Sequence, residues 1–190
     1  MRWVSRLSNA ILRVEKRLIT FLAGALVVLI LVNIVTSAAR AAIFWGDELA
    51  IYLMVWMTLI GASAMLRMRA GVAITLLTDS LPASLRRVVF KIIDAILLFL
   101  VVALLILCWQ WYDPAALIES GFDLGVFAQE TFKFIYIEPT STIGIRKFWV
   151  WLVVPLMAAA MTIHAVANLI EGPRDEAASA DTGVGPSSGA

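Results

Sequence analysis

His164 is the only histidine and Cys108 the only cysteine in this 190-residue chain, which limits the chemistry it can carry. Haem ligation by paired histidines needs a second imidazole, and an internal disulfide or thiolate cluster needs more sulfur. No nucleophile stands in a pattern with a base, and no phosphate loop or metal-ligand spacing is present. The remaining reactive groups are carboxylates and basic side chains. Buried in a membrane span, such groups would mark an ion or proton path. Yet the runs Leu18 to Ala39, Leu49 to Leu66, Ala95 to Tyr112 and Phe148 to Ile170 contain no Asp, Glu, Lys or Arg. The sequence thus offers no catalytic residue, metal ligand or cofactor site, and argues against an enzyme and against a self-sufficient pump. His164, inside the last run, is read as facing a neighbouring helix.

A second set of residues suits contact rather than catalysis. Trp45, Trp109, Trp111 and Trp149 stand near the ends of the runs, where amphipathic rings favour the interface. Trp56 lies deeper in the second run and is followed by Gly61, Ala62, Ser63 and Ala64, whose small side chains permit close helix approach. Asp47 and Glu48 open that run, where a negative charge favours the positive end of the helix dipole and can cap free amides. They serve either as caps alone or also as polar contacts for a partner. Trp45, Asp47, Glu48, Trp56 and Gly61 are the candidate contact residues.

The elements that position them follow from composition. Hydrophobic residues make up 62% of the chain and charged residues 15%; mean hydropathy is +0.92. This exceeds the roughly 45 to 50% apolar usage of soluble domains. Each uncharged run falls near the roughly 17 to 25 residues that cover the hydrocarbon core, and backbone groups in lipid must bond internally, which a helix achieves locally. The expected fold is all-α, with four membrane-crossing helices. Lys and Arg are retained on the cytoplasmic side in short flanking segments. Arg2, Arg6, Arg13, Lys16 and Arg17 precede the first run, and Arg67, Arg69, Arg86, Arg87 and Lys91 lie between the second and third. Both termini are therefore expected in the cytoplasm. The net charge of +1 and this topological placement give no nucleic-acid footprint. A cleaved signal peptide ending near Ser37-Ala38-Ala39 is the competing reading of the start, but its apolar run exceeds the roughly 7 to 15 residues of such a segment.

The chain divides into a basic segment 1–17, a membrane domain 18–170 and a Gly-, Pro-, Ser- and Ala-rich tail 171–190 that reads as disordered. Within the membrane domain, 71–91 reads as interfacial: Gly71 to Thr78 is too short to cross, Asp79-Ser80-Leu81-Pro82 signals a helix start, and basic residues interrupt the apolar face beyond it. It is either a platform helix in the membrane plane or a juxtamembrane linker. The external loop 113–147 carries Phe122, Leu124, Phe127, Phe132, Phe134, Ile135, Tyr136 and Ile137, too much apolar surface to leave in water. It packs on the span ends, dips into the interface or meets a partner.

The run from Trp45-Gly46-Asp47-Glu48 through Tyr52, Trp56 and Gly61-Ala62-Ser63 resembles the second-span signature of the small, DctQ-type membrane subunit of tripartite ATP-independent periplasmic (TRAP) transporters. The likeness continues through Arg69-Ala70-Gly71-Val72-Ala73-Ile74, Leu81-Pro82 and Arg86-Arg87, and returns at Glu138-Pro139-Thr140-Ser141-Thr142-Ile143-Gly144-Ile145 and at Trp149, Trp151 and Pro155. Ala73 stands where many relatives have histidine, and the stretch from about Glu119 to Ile137 is longer than usual. The resemblance implies a multi-pass inner-membrane scaffold that does not itself carry substrate. Its partners would be the lipid bilayer, a large permease subunit with the substrate and sodium sites, and a periplasmic solute-binding protein that delivers an organic anion. The alternatives are a membrane anchor for a redox enzyme, which would want a second histidine, and a small autonomous transporter, which would want polar groups inside its spans.

Overall fold

A computed structural model of the chain describes residues 2–69 and 82–172. The first half of the expected interfacial segment, with Ala73, and the tail beyond Gly172 lie outside these residues. Among the described residues the regular structure is all α-helix, with one isolated antiparallel bridge between Pro139 and Arg146. The helices are α1 (Arg2–Ala38), α2 (Gly46–Met68), α3 (Ala83–Tyr112), α4 (Pro114–Glu119), α5 (Leu124–Thr131), α6 (Lys147–Trp151) and α7 (Val153–Glu171). Four helical stretches are long and apolar enough to cross a membrane: α1, α2, α3, and α6 with α7. The protein is an all-α polytopic membrane protein.

Two of these helices outrun the apolar runs that define them. α1 has 37 residues, about 55 Å of helix against a hydrocarbon core of roughly 30 Å. It begins at Arg2, so the basic segment is part of the first membrane helix. In the same way Ala83 to Lys91, the described part of the expected interfacial segment, is continuous with α3. Arg86, Arg87 and Lys91 are carried on the first turns of the crossing helix itself, where long basic side chains can reach the headgroup layer.

α7 is the centre of the bundle and packs on α1, α2 and α3, while α1 also packs along α2. The reason lies in its sequence. Ala158, Ala160, Ala165 and Ala167 are buried, and side chains this small let neighbouring helices come close. Near the middle, Leu22, Ile60 and Val153 form a buried apolar cluster from α1, α2 and α7. At the end of the bundle formed by the second halves of α1 and α3, a second cluster joins Tyr112 to Phe127, Ile135 and Tyr136, flanked by Phe148 and Trp151. The 113–147 loop thus folds onto the span ends through Phe127, Ile135 and Tyr136. Phe122, Phe132 and Phe134 remain exposed. The Tyr136 hydroxyl donates to the Tyr112 carbonyl at 2.8 Å, and burial first, then the Asp113 carboxylate, holds this phenol above its ordinary range.

The opposite end, with the N-terminus, is fastened by polar groups. Arg67 is 1% exposed and donates to Asn9 Oδ1 at 2.8 Å, Asn168 Oδ1 at 2.8 Å and both Glu171 oxygens at 2.9 Å. Asn168 in turn donates to the Leu66 carbonyl at 2.8 Å. One guanidinium therefore joins α1, α2 and α7, and its fork matches the Glu171 carboxylate with two parallel bonds. Removing the guanidinium takes away the donor that Asn9, Asn168 and Glu171 share, and a buried acceptor left without a partner, such as that of Asn168, costs about 1 to 3 kcal/mol. Arg67→Ala is accordingly expected to lower the thermal unfolding midpoint of the purified chain far more than Arg13→Ala on the exposed side of α1. Equal midpoints for the two variants would refute this fastening.

Candidate partner-contact site

Glu48 and Asp47 occupy the first turn of α2, where the helix dipole favours them. They do not cap it: Trp45 holds the N-cap position and makes no side-chain cap bond. Glu48 instead reaches the loop ahead of α6. Its Oε1 accepts from the Ser141 amide at 2.8 Å and from the Tyr52 hydroxyl at 2.7 Å. Its Oε2 accepts from the Thr142 amide at 2.6 Å, the Thr142 hydroxyl at 2.5 Å and the Ile143 amide at 3.0 Å. The loop is shaped to offer those amides. Thr140 N–H donates to the Ile145 carbonyl at 2.7 Å, and Gly144 turns the chain at φ 78°, a conformation that suits glycine. Three successive N–H groups turned toward one point form an anion-binding concavity, and the carboxylate fills it. Asp47 accepts from Asn33 Nδ2 at 2.8 Å, tying the start of α2 to α1.

Trp56 serves the same purpose deeper in the bundle. Pro155 has no N–H to offer the Trp151 carbonyl four residues before it, and the last crossing is broken at Leu152 between α6 and α7. The Trp56 indole donates to the carbonyl of Val150, beside that break, at 2.8 Å. Gly61 faces the other way, and a Cβ built there would meet nothing within 4 Å. Within the small-residue run it is Ser63 and Ala64 that are buried against the bundle. Trp45 is exposed and borders a groove of about 680 Å³ between α1 and α2, lined also by Gly24, Val28, Leu49 and Leu53. Among the five candidates, Asp47, Glu48 and Trp56 therefore make polar bonds within the chain, whereas Trp45 and Gly61 lie toward its outer surface.

The sequence reading missed a buried polar chain. Ser8 Oγ lies 2.6 Å from His164 Nδ1, His164 Nε2 lies 3.2 Å from Glu15 Oε2, and the Ser63 hydroxyl donates to Glu15 Oε1 at 2.6 Å. All four residues are at most 2% exposed. A serine, an imidazole and a carboxylate in line can relay a proton, but a nucleophile must also meet a substrate, and these side chains are buried between helices. The arrangement joins α1, α2 and α7 and satisfies each polar group. His164 does face its neighbours, with Glu15 as the partner. The overlooked signal was the seven-residue spacing of Ser8, Glu15 and Leu22, which sets them along one side of a helix that packs at a shallow angle.

The geometry brings the Glu48 region of α2 together with the 138–145 loop, two of the stretches that carry the resemblance. Residues 26–175 match the family described as tripartite ATP-independent periplasmic transporters, DctQ component. The chain belongs to this family. It is also 28% identical over 113 residues to the C4-dicarboxylate TRAP transporter small permease protein DctQ of Vibrio cholerae serotype O1; the alignment takes in 59% of this chain and 49% of that relative. The chain thus matches about half the length of this relative. The DctQ family is one of transporter components rather than of enzymes, in keeping with helices that can cross a membrane four times. For this DctQ-family chain, Glu48→Ala removes the acceptor of five hydrogen bonds. Hydrogen exchange at the amides of 140–146 is expected to accelerate strongly, and Glu48→Gln, which keeps one acceptor oxygen, to fall between. Exchange unchanged in the alanine variant would show that the loop holds its shape without the carboxylate.

Proposed function

We propose that the chain is the small, non-transporting membrane subunit of a TRAP-type secondary transporter. It braces the static part of a large permease subunit, while that subunit moves an organic anion with sodium after delivery by a periplasmic solute-binding protein. Both termini lie in the cytoplasm, as the distribution of Lys and Arg suggests. The observation that carries the reading is how the chain distributes its bonds. Polar groups fasten the bundle to itself at both ends, whereas α1 turns Phe21, Val28 and Val35 outward and leaves the α1–α2 groove beside Trp45 open. A rigid frame with an apolar outer face suits bracing, because a moving element needs a fixed one to move against. The buried Glu15 and His164 do not favour an autonomous transporter: they are bonded across three helices and closed to solvent, which suits a fastening rather than an ion path.

The test is purification of the tagged chain from its native membrane in mild detergent, with mass spectrometry of what accompanies it and an absorption spectrum. A large multi-span permease in equal amount is the expected companion. A haem spectrum with soluble redox subunits would overturn the reading, as would a chain that transports alone in liposomes. Gly24→Trp and Gly61→Trp each place a bulky ring on an open part of the outer surface. Together they are expected to reduce the recovered permease several-fold without lowering the unfolding midpoint, and full recovery would remove this surface from the contact.

A further inference from the structure

Phe132 and Phe134 are accounted for neither by the aromatic cluster beside them nor by the outer face of α1 and α2. Their level in the bundle is fixed by bonds between the loop and the crossing helices. Lys133 Nζ donates to the Gln110 carbonyl at 2.7 Å and to Asp113 Oδ2 at 2.6 Å. The Phe148 amide donates to the Ile135 carbonyl at 3.1 Å, and the Tyr136 hydroxyl to the Tyr112 carbonyl at 2.8 Å. Gln110, Tyr112 and Phe148 all belong to the uncharged runs that span the hydrocarbon. The segment 132–136 is therefore strapped alongside the last turn of α3 and the first turn of α6, rather than raised above the span ends.

Side chains alternate along this strap. Ile135 is buried and Lys133 turns its ammonium inward, whereas Phe132 is 80% and Phe134 56% exposed. Phe132 takes a φ of 56°, uncommon for so bulky a residue, and its ring lies outside the cluster that Phe127 and Tyr136 form. The strap carries one charge, and Asp113 pairs with it, which suits a place with little water. Trp109, Trp111 and Trp149 are exposed at the same level, each adjoining a residue that holds the strap. Indoles favour the boundary between hydrocarbon and headgroups. Apolar rings at that depth face lipid, because a water-soluble partner would approach the surface above them.

We infer that the segment 132–136 is an interfacial anchor whose outer edge, Phe132 and Phe134, enters the lipid at the hydrocarbon boundary. The occupant of this edge is the bilayer itself. The strap extends the tryptophan belt sideways from α3 and α6, and it fixes how deep this end of the bundle sits.

The test places the full chain in lipid nanodiscs, one copy in each. Cys108→Ser removes the native thiol, and a fluorescent label is attached at Phe132→Cys, at Phe134→Cys or at Glu119→Cys, Glu119 being an exposed acid of the same loop. Phosphatidylcholine with a nitroxide near the top of its acyl chain is expected to quench the Phe132→Cys and Phe134→Cys labels several-fold more than the Glu119→Cys label. Iodide in the water should quench them several-fold less. Iodide reaching all three alike would overturn the inference and leave the edge to water, a soluble partner or a second copy. A second measurement uses the unsubstituted chain in its native membrane, with a phosphatidylcholine that carries a photoreactive diazirine at the same depth. Lipid should become attached to residues 132–136 as it does to the exposed side of α1. Attachment to α1 but not to this segment would give the edge to a neighbouring membrane protein, and would also overturn the inference.

Discussion

A carboxylate taken out of water must be given partners, and the arrangement of the three packed helices α1, α2 and α7 follows from how this is done for Glu15. Its two oxygens are met by Ser63 of α2 and His164 of α7, and His164 is met in turn by Ser8 one helical stretch earlier on α1. Between hydrocarbon chains, apolar side chains gain little by choosing one another over lipid, so packing and polar pairing must decide which faces meet. Sliding α1 by one turn would leave three helices with unsatisfied polar atoms at once. The Arg67 cluster lies toward the same end and depends on the same alignment, because Asn9 and Asn168 must be level with it.

The far end solves the same problem with different groups. There the acceptor is again a carboxylate, Glu48, and three of its five donors are backbone amides of a loop, with the hydroxyls of Tyr52 and Thr142 completing the set. Ionised acceptors strengthen such bonds roughly twofold over neutral pairs. The loop in turn fixes where α6 begins, and Trp56 holds α6 near its end through the Val150 carbonyl. α2 is thus attached to the last crossing near its start, at Trp56 and at its end. Such a helix has little freedom to tilt independently of α7.

The four crossings were legible because lipid imposes a long, uncharged run and leaves its ends charged. Helix ends were less so, since α1 and α3 continue as helices past the apolar stretch, and charge marks where the hydrocarbon stops rather than where the helix does. The burial of Glu15 and Arg67 could not be read from span composition for this reason: both lie just outside the uncharged runs, yet inside helices that pack. Glu48 and Trp56 were legible as residues of interest but not in the bonds that tie them to the last crossing, because those partners are 93 or more positions away in sequence. Spacing identifies a face of one helix and is silent on which distant segment covers it. The loop aromatics divide in the same way: Phe127 is buried and Phe132 exposed, five residues apart, according to a turn in which Phe132 itself takes a positive φ of 56°.

The place of His164 in that polar chain has a consequence for biosynthesis. Ser8 and Glu15 leave the ribosome before Ser63, and His164 follows Ser63 only about a hundred residues later. Until these partners are made, Glu15 must therefore rest beside the headgroups and water, which the neighbouring Lys16 and Arg17 favour by holding that part of α1 at the membrane edge. α7, which is made after the other three crossing helices, is also the one on which they converge. The pairing of these groups is thus completed only by α7, and a chain truncated before α7 would expose the carboxylate and Arg67 that it covers.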